Sequence, residues 1–156
     1  MSDFRFETFD LPPSNDVNDI DDLTEDALAV VNLISQIRMA PDSSEPSVLD
    51  TLADFDGQTC LVARDDEGEI CAAANIRLEP EHNQMWVQQL AVDPDYRGQG
   101  LGTEFVDHIV NLARVTQLSK IKSRAAYTAI AAHYSWGFRE DEDQQPSSTP
   151  IMYRYL

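Results

Sequence analysis

A glycine-rich stretch in the second half of the chain carries the clearest chemical signal in the sequence. Residues 97–103 read RGQGLGT and follow an apolar run that ends at Val92. An amphipathic pattern starts at Leu101, so the glycines should connect a strand to the N-terminus of a helix. The free N–H groups and positive dipole of such a terminus favour an anion such as pyrophosphate. Arg97 adds a positive charge that phosphate oxygens can accept. The alternative interpretation of the glycine-rich stretch is a tight turn between strand and helix that binds no ligand.

The spacing of the glycines argues against two common phosphate-binding motifs. A P-loop ends in Gly-Lys-Ser/Thr, but Gly102 is followed directly by Thr103. The dinucleotide fingerprint is Gly-x-Gly-x-x-Gly, early in a parallel βαβ unit. Here the pattern is Gly-x-Gly-x-Gly, and it comes late in the chain, after strands that look antiparallel.

The elements around this loop indicate a mixed α+β chain. Apolar periodicity predicts strands at 4–9, 59–64, 69–78, 84–92, 120–124 and 150–156, and helices at 24–39, 46–55, from 101 onward and at 129–136. The stretch 139–150 is predicted to be a loop. This order favours a mostly antiparallel sheet with one strand–loop–helix crossover at the glycines.

The pattern Arg97-x-x-Gly100-x-Gly102, after a strand ending in LAV and the link DPDY, resembles the coenzyme A-binding signature of the GNAT superfamily of N-acetyltransferases. The order of predicted elements is that of the family. The segment 129–138, AIAAHYSWGF, resembles its second signature, a short helix that ends in Gly-Phe. The resemblance implies one GNAT domain over residues 1–156. Its α+β fold would have a central, mostly antiparallel sheet of six to seven strands with a splayed wedge, and about four flanking helices.

The resemblance also implies the chemistry. Acetyl-CoA, as co-substrate, would lie where the strand at 84–92 splays from the strand at 120–124, and an amine would attack the thioester directly, with a backbone N–H stabilising the oxyanion. Backbone groups of Leu90, Ala91 and Val92 would bind the pantetheine arm. The pyrophosphate would be held by the N–H groups of Arg97, Gly98, Gln99, Gly100, Leu101, Gly102 and Thr103. No metal ion is required, and no cluster of side chains has metal-ligand spacing.

The sequence departs from the family at the expected general base. Many members place an acid on the central strand, where this chain has Gln88 and Gln89. Either the acceptor is a weakly basic amine, or water relays reach an acid elsewhere. The candidates for that acid are Glu79, Glu81 and Asp93.

A second departure concerns the catalytic proton donor. The family's tyrosine lies four residues before the glycine of Gly-Phe; here that residue is His133, and Tyr134 follows it. Because a helix turns by about 100° per residue, only one of the two side chains can point into the wedge. Position favours His133, which can act as an acid near neutral pH. Chemistry favours Tyr134, since the family uses a phenol, and we take Tyr134 as the expected donor with His133 as the alternative.

The charge of the chain limits its partners. A formal net charge of -17 disfavours nucleic acid and anionic membranes and attracts cations. The N-terminal residues lack the basic and apolar regions of a signal peptide, and no apolar run approaches the roughly 20 residues of a membrane span. We therefore expect a cytoplasmic protein that can form a homodimer.

Acidic residues are also expected around the acceptor. In the family, the acceptor opening is framed by the segment between the first two helices and by the loop between the last two strands. In this chain the two segments carry Asp42, Glu45, Asp50, Glu140, Asp141, Glu142 and Asp143. They favour a cationic acceptor, although adaptation to high salt explains the same composition equally well.

Two functions are consistent with the sequence. The first is an N-acetyltransferase that transfers an acetyl group from acetyl-CoA to a primary amine of a small molecule or peptide. The alternative is an acyl-CoA-binding GNAT-like module that acts as a sensor or partner with little catalysis, because the acid is missing and the tyrosine is displaced.

Overall fold

The fold is built on one seven-stranded sheet. The computed structural model describes residues 3–38, 48–126, 128–141, 143–147 and 149–156. The strands are β1 (Arg5–Phe9), β2 (Thr59–Arg64), β3 (Ile70–Glu79), β4 (Gln84–Val92), β5 (Lys120–Arg124), β6 (Arg139–Glu140) and β7 (Ile151–Tyr155). Their spatial order is β1-β2-β3-β4-β5-β7-β6. Every neighbouring pair is antiparallel except β4 and β5, which run parallel.

Within the described residues, four α-helices cover the two faces of the sheet. They are α1 (Glu25–Arg38), α2 (Val48–Ala53), α3 (Leu101–Val115) and α4 (Ile130–Ser135). The parallel pair β4 and β5 is joined through α3, as a parallel connection requires a crossover. The predicted α+β class, the mostly antiparallel sheet and the number of strands and helices are confirmed.

Each face of the sheet buries a separate apolar cluster. On one face, Phe105 and Ile109 of α3 pack against Met85 of β4 and Ile121 of β5. On the other, Ile34 of α1 packs in a cluster with Ala73 and Ala91 of β3 and β4. Because side chains alternate along a strand, the side chains of consecutive residues of β4 point to opposite faces of the sheet. We call these the α3 face and the α1 face.

Where both are described, the predicted element boundaries lie within two residues of those observed, apart from one strand that was not predicted. The first helix begins at Glu25, because the side-chain oxygen of Thr24 caps it by accepting a hydrogen bond from the Ala27 N–H at 3.1 Å. The predicted loop 139–150 begins with a strand, β6, which pairs with β7. The predicted start of the second helix at Pro46 lies outside the described residues; α2 is observed from Val48.

Within the described ranges, no helix is long and apolar enough to cross a membrane.

Candidate active site

The centre of the sheet opens between β4 and β5. The two strands pair only from Gln84 to Val87 on β4, opposite Lys120 to Ser123 on β5. β4 continues to Val92 without β5 as a partner, which is the splay that the sequence predicted. A bulge accompanies it: Asn75 of β3 pairs with Gln89, whereas the next residue of β3 pairs with Val87. Bulges bend a strand, so this one helps to turn the second half of β4 away from β5.

The glycine-rich loop leads from the open end of β4 into α3. A short 3₁₀ turn, Pro94–Tyr96, follows β4, and the Asp93 carboxylate accepts a hydrogen bond from the Asp95 N–H at 2.9 Å. Gly100 is the N-cap of α3 with a φ of 82°, and no side chain caps the helix. A β-carbon is disfavoured at this φ, which explains the glycine. The first N–H groups of α3 are therefore available to an anion.

Gly102 is explained by a different feature, the close approach of an aromatic ring. A β-carbon at this position would lie 2.8 Å from Cζ2 of Trp136, which follows α4. The absence of a side chain thus allows the second signature segment to pack directly on the first turn of α3.

A cavity of about 380 Å³ lies against this loop. It is lined by every residue that the sequence predicted for coenzyme binding except Gln99: Leu90, Ala91, Val92, Arg97, Gly98, Gly100, Leu101, Gly102 and Thr103. The Gln99 side chain bonds instead to the Asp95 carbonyl at 3.4 Å. Ile37 of α1 and Trp136 both contribute to the lining, so the cavity extends through the splay from one face of the sheet to the other.

Tyr96 anchors the loop to the β2–β3 hairpin. Its ring lines the cavity, and its hydroxyl donates a short hydrogen bond to the Asp65 carboxylate. This bond raises the pKa of Tyr96 and lowers the pKa of Asp65. Phe4 packs edge-on against the same ring, with centroids 6.3 Å apart. Both contacts restrain the strand-to-helix connection before a ligand binds.

The structure brings His133 to the closed end of the splay. The imidazole is 4% exposed, and Nδ1 lies 2.9 Å from the Ala129 carbonyl. Because a carbonyl only accepts, Nδ1 carries the hydrogen, and Nε2 accepts one from the Ser123 hydroxyl at 2.9 Å. Burial lowers the pKa of His133, which is therefore neutral at pH 7. Val87 and Leu90 line a small cavity beside these two side chains.

Tyr134 points away from the splay. The residue is 40% exposed, and its hydroxyl donates to Oε1 of Glu140 on β6 at 2.8 Å. As the helical geometry requires, only one of the two adjacent side chains faces the splay, and it is His133. The preference for Tyr134 over His133 rested on a shortened turn after α4, and the structure does not place the phenol where that preference requires.

The three acids proposed from the sequence as distant bases are not among the residues that line the cavity at the splay. Glu79 accepts hydrogen bonds from Arg77 and Gln84 at the opposite end of β4, Glu81 lies in a turn next to it, and Asp93 caps the 3₁₀ turn.

A different acid, Asp54, is connected to the central strand. The Gln89 amide nitrogen donates to Oδ2 of Asp54 at 3.1 Å, and Asn75 donates to the Gln89 amide oxygen at 2.7 Å. Asp54 follows α2 directly and is 35 residues from Gln89 in sequence, so neither spacing nor periodicity pointed to it.

Only some of the acidic residues expected around the acceptor opening lie within the described part of the chain. Asp42, Glu45 and Glu142 lie outside the described residues, while Asp50, Glu140, Asp141 and Asp143 are exposed. In the part of the chain that the structure describes, no group of three or more His, Cys, Asp or Glu side chains could hold a metal ion.

The class of protein follows from this geometry and from comparison with known proteins. A seven-stranded sheet splayed between β4 and β5, with a glycine-rich loop at the N-terminus of α3, is the architecture of acetyltransferases. Residues 27–138 match the model of the acetyltransferase (GNAT) family. The chain belongs to this family and is an acyltransferase.

Three of the proteins that are similar to this chain are named as acetyltransferases. The chain is 30% identical over 110 residues to L-2,4-diaminobutyric acid acetyltransferase of Virgibacillus pantothenticus. The matched region covers 70% of this chain and 68% of that protein. The PaiA N-acetyltransferase of Thermoplasma acidophilum, solved with coenzyme A, has a TM-score of 0.71 at 12% identity, with all of both chains covered. A GNAT-family acetyltransferase of Staphylococcus aureus has a TM-score of 0.65 at 18% identity, covering 98% of this chain and 99% of the other.

Proposed function

We propose that the chain is an acetyl-CoA-dependent N-acetyltransferase that acts on a primary amine of a small molecule or peptide. The observation that carries this proposal is the cavity that passes through the splay beside the uncapped N-terminus of α3. One end of it offers N–H groups suited to a pyrophosphate, and the other end opens to the α1 face, from which an acceptor can approach. The coenzyme A bound by the similar Thermoplasma protein supports the same ligand here.

The residues of the cavity divide into two groups in this proposal. Bound acetyl-CoA supplies an activated acetyl group as a thioester. The N–H groups of residues 97–103 hold the pyrophosphate, and backbone groups of residues 90–92, which have no partner on β5, hold the pantetheine arm. A backbone N–H of the open part of β4 stabilises the oxyanion, since preorganised donors of this kind stabilise developing charge strongly.

We further propose that His133 and Ser123 supply the proton that the leaving thiolate takes up. In the neutral state the Ser123 hydroxyl donates to Nε2 of His133. If Nε2 takes up a proton from solvent water, this hydrogen bond reverses; Ser123 can then give its own proton to the thiolate and receive the one on Nε2, which returns His133 to the neutral state. The hydroxyl of Tyr134, bonded to Glu140 outside the splay, cannot do this without a rotation of α4.

Asp54 is the proposed destination of the proton that the amine loses. The chain from Asn75 through Gln89 to Asp54 lies on the α1 face, where the cavity opens. An amide does not take up a proton at neutral pH, so Gln89 would orient a water or the amine, and the carboxylate of Asp54 would act as the base.

The acceptor to test first is a small amino acid with an amine in its side chain, since the relative from Virgibacillus is named for L-2,4-diaminobutyric acid. We also propose a reducing, cytoplasmic location, because Cys60 and Cys71 are both buried free thiols. The alternative of a binding module with little catalysis is favoured by one observation, the orientation of Tyr134 away from the splay.

Turnover separates the two functions. Purified protein is incubated with acetyl-CoA and a panel of amines, and both free thiol and the acetylated amine are measured, the latter by mass spectrometry. We expect equal amounts of the two products with at least one amine. Tight binding of acetyl-CoA without an acetylated product from any amine would favour the binding module.

A further inference from the structure

The α1 face of β5 carries a row of cations beside the splay. Lys120, Lys122 and Arg124 share this face, because Ile121 and Ser123 between them are buried on the α3 face. Lys120 and Lys122 are the only lysines of a chain whose net charge is -17. Arg124 lies one residue beyond the last pair between β4 and β5, directly at the opening.

Neither of the two cations nearest to the opening forms an ion pair within the described residues, although Lys122 interacts electrostatically with Glu79. Arg124 is exposed, and its side chain forms no hydrogen bond or ion pair with the described residues. The ammonium of Lys122 lies 5.0 Å above the ring of Trp86. In contrast, Arg64 of β2 pairs with Glu7 and Asp26. Glu79 is shared, because its carboxylate also accepts hydrogen bonds from Arg77 and Gln84.

The position of this pair relates it to the acceptor. The coenzyme cavity passes through the splay and includes Ile37 and Ala91 on the α1 face. An amine that reaches a thioester in the splay from this face therefore passes alongside Arg124 and Lys122. Arg124 has no ion-pair partner among the described residues and Lys122 shares Glu79 with Arg77, so the positive charge at this point would repel a pure polyamine and attract an anionic group.

We propose that Lys122 and Arg124 form a binding site for a carboxylate of the acceptor, so that the preferred substrates are amino acids with an additional amine. This inference rests on the proposed acetyltransferase function. Arg124 can form two parallel hydrogen bonds with a carboxylate, and Lys122 adds a point charge held in place by Trp86. The amine would then be directed into the splay, towards Gln89 and Asp54.

The test compares two acceptors that differ only in the carboxylate, L-2,4-diaminobutyrate and 1,3-diaminopropane. The ratio of their kcat/KM values is measured for the wild type, Arg124→Gln, Lys122→Met and the control Lys120→Met. Lys120 lies on the same strand and the same face as Lys122, and about 7 Å farther than Lys122 from the opening. We expect the wild type to favour the amino acid, and Arg124→Gln and Lys122→Met to lower the ratio by about 10- to 100-fold, the range for hydrogen bonds to charged groups. Lys120→Met should leave the ratio within about twofold.

Calorimetric binding of L-2,4-diaminobutyrate to the protein saturated with coenzyme A provides a second measurement that does not depend on turnover. Binding that weakens in Arg124→Gln but not in Lys120→Met supports the carboxylate site even if no product forms, in which case only the proposed transfer fails. Transfer to amines with the same ratio in all four proteins overturns the carboxylate site and leaves the acetyltransferase function intact. No binding of the amino acid by the wild type also overturns the site.

Discussion

Gly102→Ala tests the packing that joins the two signature segments. An alanine β-carbon would lie 2.8 Å from Cζ2 of Trp136, against about 3.5–4.0 Å for an ordinary carbon–carbon contact. In a helix this substitution alone stabilises by about 0.5–1 kcal/mol. Overpacking costs about 1–3 kcal/mol. We expect the overpacking to prevail, with a net loss of the order of 1 kcal/mol in the free energy of unfolding.

Urea unfolding of four proteins measures this effect, and calorimetry of acetyl-CoA binding accompanies it. The four are the wild type, Gly102→Ala, Trp136→Phe and the double variant. Phenylalanine lacks the ring atom that the new β-carbon would meet, so alanine should be neutral or stabilising in that background. Because Trp136 lines the coenzyme cavity, Gly102→Ala alone should also weaken acetyl-CoA binding. An equal effect of alanine in both backgrounds, or a more stable Gly102→Ala, would refute this reasoning.

Three further expectations concern protons and charge. Burial lowers the pKa of His133 below its ordinary 6.5, so below that pH the unfolded chain binds a proton that the folded chain does not, and stability is lost as pH falls. Unfolding of His133→Gln between pH 7 and 5 should therefore show a smaller loss than the wild type, and identical losses would contradict the assignment. Tyr134→Phe should fall well short of the roughly 10²–10⁴-fold loss in kcat of a missing general acid, whereas Ser123→Ala should approach it; the reverse order would restore Tyr134 as the donor. The affinity for acetyl-CoA should rise or stay constant between about 0.01 and 0.1 M salt, as screening of repulsion from the acidic chain outweighs loss of attraction to Arg97; a steep fall in affinity with salt would contradict this.

The fold and the coenzyme loop were accessible from the sequence because their signals are local. Glycines at fixed spacing, an apolar strand before them and an amphipathic helix after them are all contained in residues 84–115. The short strand β6 was missed because two residues carry no periodicity, and only pairing with β7 defines them.

The rest of the candidate site depends on contacts between distant residues. Position in the sequence favoured His133, but the rotation of α4 is set by the hydrogen bond to Ser123 and by packing of Trp136 on Gly102. Asp54 reaches the central strand only through the approach of α2 to β4. The sequence likewise could not show that the Arg124 side chain has no anionic partner among the described residues, because this depends on its neighbours in the fold.

Calorimetric titration with acetyl-CoA tests most directly whether the cavity at the glycine-rich loop is the coenzyme site. Wild type, Gly100→Val and Gly57→Val are compared, with folding of each verified by circular dichroism. Gly57 and Gly100 have similar φ values of 74° and 82° with open space around the new side chain, but only Gly100 lines the cavity. A valine strains the backbone at either position. We predict one acetyl-CoA site in the wild type and in Gly57→Val, and loss of binding in Gly100→Val. Absence of binding to the folded wild type, or full affinity in Gly100→Val, would contradict the account.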